Sequence, residues 1–200
     1  GLKMTYNGQT LTESQIKELK EITLANWTDN VHEVDNSLVQ KYNIIPAYIE
    51  DMKSRFGNIG KGVKVVVDSA NATGGIVGPK LYRELGCDVV ELFSEPDGTF
   101  PNHHPNPSVE KTLDTLKATV IKENADIGIA YDGDSDRIGV VDNCGRYLTG
   151  DKLLLVYAEE LVKKCKKDNI VPTVVSEVKC SQVLFDTIDK IGGHSVMCKT

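Results

Sequence analysis

Apolar and polar positions change rhythm several times along this chain. Over residues 10–24, TLTESQIKELKEITL, Ile16, Leu19 and Ile22 recur at helical intervals, while Thr12 and Gln15 have capping-box spacing. A helix is predicted there. The next stretch, NWTDNVHEVDN at 26–36, is polar and unpatterned and reads as a linker. A second helical segment follows over 38–57, with Pro46 near its start or at a kink.

From residue 63 the pattern becomes that of alternating strands and helices. VKVVVDS (63–69) is a buried strand, ATGGIVGPKLYRELG (72–86) a Gly-rich turn opening a helix, and CDVVELF (87–93) the next strand. The segment 108–124 predicts a helix capped by Ser108, with Val109, Leu113, Leu116 and Val120 on one face. ADIGIAY (125–131) is a strand, and IGVVDNCGRYL (138–148) reads as a hairpin. After Gly150 the alternation restarts as helix, strand, helix and strand. This order predicts an α/β fold with mixed, mostly parallel sheets flanked by helices, and a second α/β unit beginning near residue 150.

Composition narrows the function classes. A net charge of −6 argues against a nucleic-acid or membrane-surface binder, because phosphate backbones reward a basic face. The basic run from Lys163 to Lys167 falls where a helix ends, and cations favour that end of the dipole. No apolar stretch reaches membrane-spanning length. Five scattered cysteines without a C-x-x-C pair fit free thiols in a reducing cytoplasm better than a disulfide framework or zinc site.

The densest chemistry is AYDGDSDR (130–137), where Asp132, Asp134 and Asp136 alternate and Arg137 closes the run. Three carboxylates in five residues repel one another unless a cation answers them. In an open α/β sheet ligands collect at the C-terminal ends of strands, which is where ADIGIAY delivers this loop. Mg²⁺ is the favoured cation, since it accepts a few carboxylates and keeps positions for water or phosphate. Arg137 could offset the excess negative charge or hold a phosphate. An EF-hand fails, because Arg137 and Asn143 stand where it needs Gly and a bidentate Glu. A haloacid-dehalogenase-type D-x-D phosphatase, with Asp132 as nucleophile, stays open, as do a D-x-D glycosyltransferase and a non-catalytic metal-binding module. His103 and His104 read as part of a Pro-rich structural loop, and SANATGG (69–75) as backbone packing. GNIGKG (57–62) precedes a strand instead of following one, so it is not a P-loop.

DGDSDR in this setting resembles the metal loop of the α-D-phosphohexomutases. FPNHHPNPSVEKTL (100–113), NADIGIAYDGDSDRIGVVDNCG (124–145) and VVVDSANATGGIVGPKLYRELGC (65–87) are similar to the second domain of the phosphomannomutase/phosphoglucomutase branch. GLKMTYNGQTLTESQIKEL (1–19) resembles the segment just after the family's catalytic serine loop, and SEVKCSQVLFDTIDKIGG (176–193) the start of the third domain. The resemblance implies a partition into 1–35, 36–147 and 148–200: tail of domain one with linker, domain two, and the beginning of domain three. It implies a cytoplasmic enzyme that moves phosphate between C1 and C6 of a hexose phosphate through a phosphoserine and a bisphosphate. Mg²⁺ would sit on Asp132, Asp134 and Asp136. Arg137 would lie beside the transferring phosphate, and Lys3 and Lys179 would be further active-site cations. The family's T-A-S-H-N-P serine motif and G-E-x-S-G-H sugar loop do not occur in these 200 residues, so the expectation is a central fragment, inactive alone.

Overall fold

A computed structural model describes residues 4–28, 37 and 39–200. The chain divides into two compact units, Gly1–Asn43 and Ile44–Thr200. In the first, β1 (Thr5–Tyr6) and β2 (Gln9–Thr10) form a small antiparallel hairpin. It is followed by α1 (Glu13–Ala25), which opens on the expected capping box: Thr12 N–H donates to Gln15 Oε1 at 2.9 Å, and Gln15 N–H donates back to Thr12 Oγ1 at 3.5 Å.

The second unit starts with α2 (Ile45–Phe56), shorter at its front than the apolar pattern predicts. Pro46 explains the late start. Its fixed φ suits the first turn, where its missing N–H costs nothing, so the helix begins around it. Then come β3 (Lys64–Asp68), a 3₁₀ turn at Thr73–Ile76, α3 (Gly78–Glu84) and β4 (Asp88–Leu92). A long loop leads to a second 3₁₀ turn, Glu110–Leu113, and α4 (Asp114–Lys122). Ser108 does not cap this helix. Asn106 draws the chain into a turn instead, its Oδ1 accepting from Ser108 N–H at 3.2 Å and its carbonyl from Thr112 Oγ1 at 2.9 Å.

Strands β5 (Ile127–Tyr131), β6 (Ile138–Asp142) and β7 (Tyr147–Leu148) complete a five-stranded sheet of order β4-β3-β5-β6-β7. It is parallel across β4, β3 and β5, then antiparallel across the hairpin strands. The valines of β3 serve both faces, as the period of two requires. Val66 packs with Leu113, Leu116, Val120 and Val141 on the α4 side, while Val65 and Val67 pack with Ile129 and Tyr82 on the other. The chain continues through α5 (Gly150–Lys167), β8 (Thr173–Glu177), α6 (Gln182–Lys190) and β9 (His194–Cys198). Strands β8 and β9 pair in parallel as a separate two-stranded sheet, over a core of Ala158, Val174, Leu184 and Ile188. Among the described residues, no helix is long and apolar enough to cross a membrane.

Candidate metal and phosphate site

Register decides where the aspartates go. β3 and β5 run in parallel with Asp68 opposite Ala130, so both strands end on the same edge, and residues 132–137 form the turn from β5 into β6. The turn is closed by its own backbone: Asp132 N–H donates to Arg137 O at 3.3 Å, and Ser135 N–H to Asp132 O at 3.2 Å. Ser135 takes a left-handed conformation, φ +63°, which lets the loop double back. From outside, Thr73 Oγ1 donates to Gly133 O at 3.0 Å.

This folding brings one carboxylate oxygen from each of Asp132, Asp134 and Asp136 within 4.8 Å of the others. Asp132 is 1% exposed, whereas Asp134 and Asp136 open to solvent. Arg137 holds Asp132 twice: its backbone N–H donates to Oδ1 at 3.0 Å and its Nε to Oδ2 at 2.8 Å. Nε also lies 3.7 Å from Asp136, and Nη1 donates to Asn106 Oδ1 at 3.4 Å. Burial pushes the Asp132 carboxyl upward, but the Arg137 backbone and guanidinium outweigh it and leave the group below its ordinary range. The donor set therefore fits a hard divalent cation: three oxygen ligands, one ionised and held, two free to adjust.

The sign of the Asp132 shift gives a prediction. A depressed folded-state pKa contributes stability above the unfolded value of about 3.9, lost as pH falls through the folded value. Replacing Arg137 by Ala strands a buried carboxylate. Its thermal midpoint should fall furthest below wild type at neutral pH, the gap closing as Asp132 protonates. Melting curves from neutrality into strong acid check this, and a gap that stays constant would refute it.

The other expected site residues are placed differently. Lys3 lies outside the described residues. Lys179 follows β8, its side chain 69% exposed and its Nζ 3.8 Å from Glu177, with no ion pair to the aspartates among the described residues. SANATGG is hydrogen-bonded scaffolding. Asn71 N–H donates to Phe93 O, its Nδ2 to Glu95 O, and a Cβ on Gly75 would fall 1.9 Å from Ser94 O. Three residues stand beside the site: Asp68 and Asn106, which pattern alone did not single out, and His103, which it read only as part of a structural loop. Asp68 is fully buried at the end of β3, His103 Nε2 meets its two oxygens at 3.0 and 3.2 Å, and Asn106 meets Arg137. Burial raises the Asp68 carboxyl, and His103 offsets part of that. A cleft of about 280 Å³ lies behind Ser135, walled by Tyr48, Val77, Leu81 and Tyr131; its largely apolar lining suits no phosphate.

Residues 46–145 match the family model for phosphoglucomutase/phosphomannomutase, alpha/beta/alpha domain II. The chain belongs to that family. It is 39% identical over 204 residues to a phosphomannomutase/phosphoglucomutase of Pseudomonas aeruginosa, covering all of this chain and 41% of that protein. A phosphoglucomutase of Neisseria meningitidis is 36% identical over 206 residues, again across the whole chain and 42% of its own length. A crystal structure of a phosphoglucomutase/phosphomannomutase family protein from Burkholderia thailandensis superposes with a TM-score of 0.81 at 32% identity, over 99% of this chain and 41% of that one. The chain thus spans about two-fifths of the length of these curated relatives. The mixed α/β architecture and the resemblance read from DGDSDR both stand.

Proposed function

We propose that this chain is part of a phosphomannomutase/phosphoglucomutase, interconverting hexose 1-phosphate and hexose 6-phosphate through a phosphoserine and a bound bisphosphate. One observation carries the reading: in a chain of this family, three carboxylates converge within 4.8 Å beside an arginine already engaged with the buried one. Asp132, Asp134 and Asp136 would hold Mg²⁺, which supplies Lewis-acid stabilisation of charge on the transferring phosphoryl group. Asp132 gives the site a fixed, ionised floor. Arg137 commits Nε to Asp132 and Nη1 to Asn106, leaving Nη2 to meet a phosphate oxygen as charge builds on it. Lys179 and Lys3 would approach the phosphate as further cations. In this reading 36–147 form the second domain, supported by the sheet that runs from residue 64 to 148, and 148–200 open the third. Five free thiols support a cytoplasmic setting, and a small sugar phosphate, not a nucleic acid or membrane, is the partner.

The D-x-D phosphatase reading is weaker, because both Asp132 oxygens already accept from Arg137 and the side chain is closed to an in-line phosphate. The test is direct. The full-length protein with Mg²⁺ should convert mannose 1-phosphate to mannose 6-phosphate without net release of phosphate, and residues 1–200 alone should not, since they contain no T-A-S-H-N-P serine. Mutase turnover by residues 1–200, or phosphate release lost on mutating Asp132, would overturn the proposal.

A further inference from the structure

Among the ties on the loop between β4 and the second 3₁₀ turn is a pair of buried Asp68 and part-buried His103. Asp68 is 0% exposed, and its Oδ1 accepts Ala70 N–H at 2.9 Å. Both its oxygens lie within 3.2 Å of His103 Nε2. The other ring nitrogen, Nδ1, faces the His104 carbonyl at 3.1 Å. A carbonyl can only accept, so Nδ1 carries a proton. Between Nε2 and Asp68 one further proton satisfies both groups, whichever of them holds it. The ring is also fixed sideways, edge-on to Phe93 with centroids 5.5 Å apart. His103 is thus held on three sides, whereas His104 beside it is exposed.

This latch holds the wall of the aspartate loop. Two residues on, Pro105 sits 3.7 Å from where a Cβ on Gly133 would be, and Pro107 packs within 2.7 Å of the corresponding point on Gly139. Between those prolines, Asn106 N–H donates to His104 O at 2.8 Å, the same carbonyl that receives His103 Nδ1–H. Asn106 Oδ1 then accepts Arg137 Nη1. The path runs from the end of β3 through one imidazole and one carbonyl to the guanidinium that braces Asp132. We propose that His103, latched by Asp68, is a positioning residue that fixes Arg137 over the aspartate loop. The proposal extends the mutase reading, which gives Arg137 its phosphate-handling role, but the latch itself is independent of that role. Charge is not what the latch requires. An Asn at 68 can donate its amide hydrogen to Nε2 of a ring protonated at Nδ1, keeping both ring hydrogen bonds.

The experiment has two readouts. In residues 1–200, the Arg137 Nε–H signal reports how firmly its bond to Asp132 is held. Its solvent exchange should quicken about tenfold or more in His103→Ala and Asp68→Leu, and stay within about threefold of wild type in Asp68→Asn. Asn106→Ala repeats the test without touching the Asp68–His103 pair and should also quicken exchange. In the full-length enzyme, His103→Ala should lower kcat about 10–100-fold with KM within about threefold, a split that simple loss of folded protein does not produce. Unchanged exchange in folded His103→Ala or Asn106→Ala protein overturns the latch, as does an Asp68→Asn exchange rate as fast as that of Asp68→Leu. Faster exchange with undiminished kcat keeps the latch and removes Arg137 from phosphate handling.

Discussion

Replacing Asp134 by Asn in the full-length enzyme should abolish hexose-phosphate turnover while leaving the protein folded. Asp134 is the cleanest of the three aspartates for this purpose. Asp132 is buried and paired with Arg137, so changing it disturbs an ion pair as well as a ligand. Asp136 lies within 3.7 Å of the same guanidinium. Asp134 is exposed and takes part in no ion pair among the described residues, so an isosteric amide should alter stability by no more than about 0.5 kcal/mol. The amide removes one formal negative charge and turns a strong hard ligand into a weak one, which Mg²⁺ tolerates poorly. If the cation supplies several kcal/mol of transition-state stabilisation, its loss costs on the order of a thousandfold in kcat. The assay is mannose 1-phosphate conversion at saturating substrate, run beside a Mn²⁺ titration of wild type and variant. Normal turnover, or normal Mn²⁺ affinity, would count decisively against these three carboxylates as the metal site.

The carboxylate cluster could be read from sequence because it is local. All three carboxylates and Arg137 fall within six residues, and the apolar strand before them says which edge of the sheet they reach. The elements were legible for the same reason. A capping box at Thr12, the valines of β3 and the restart at Gly150 are short-range signals that the fold obeys. What could not be read is what depends on contacts between distant segments. Asp68 meets His103 across 35 positions and Asn106 meets Arg137 across 31, and no periodicity carries that information. The Pro-rich loop around the adjacent histidines was legible as structural, but not the acid that structures it. Ser108 failed as a cap for a related reason. The local preference of Ser for an N-cap lost to the Asn106 turn, itself fixed by the loop's tertiary partners. Lys179 has the right neighbours in sequence, yet the described structure leaves it at the surface beside Glu177.

The largest expected stability effect lies below the site, at Leu116. It is fully buried in the cluster that α4 makes with β3, β5 and β6. Its Cδ1 fills the space above Gly128, where a Cβ would come within 2.9 Å of it and within 2.7 Å of Val120 Cγ2. The missing side chain at 128 is what lets the helix approach so closely. Leu116→Ala should therefore cost about 2–5 kcal/mol, as buried leucine truncations do when the surroundings collapse only partly. Gly128→Ala alone overpacks the same place and should cost about 1–3 kcal/mol. The two changes act on one cavity from opposite sides, so the double variant should be more stable than the sum of the single losses predicts, by about 0.5–3 kcal/mol. Urea unfolding of the four proteins gives the cycle directly. Strict additivity would mean that α4 does not rest on Gly128 as described. Residue 128 sits three positions before the end of the strand that delivers Asp132, so the Mn²⁺ affinity of folded Leu116→Ala protein tests a second point. It should match wild type, because β5 is pinned on both sides by β3 and β6 and the aspartate turn is closed by its own backbone bonds.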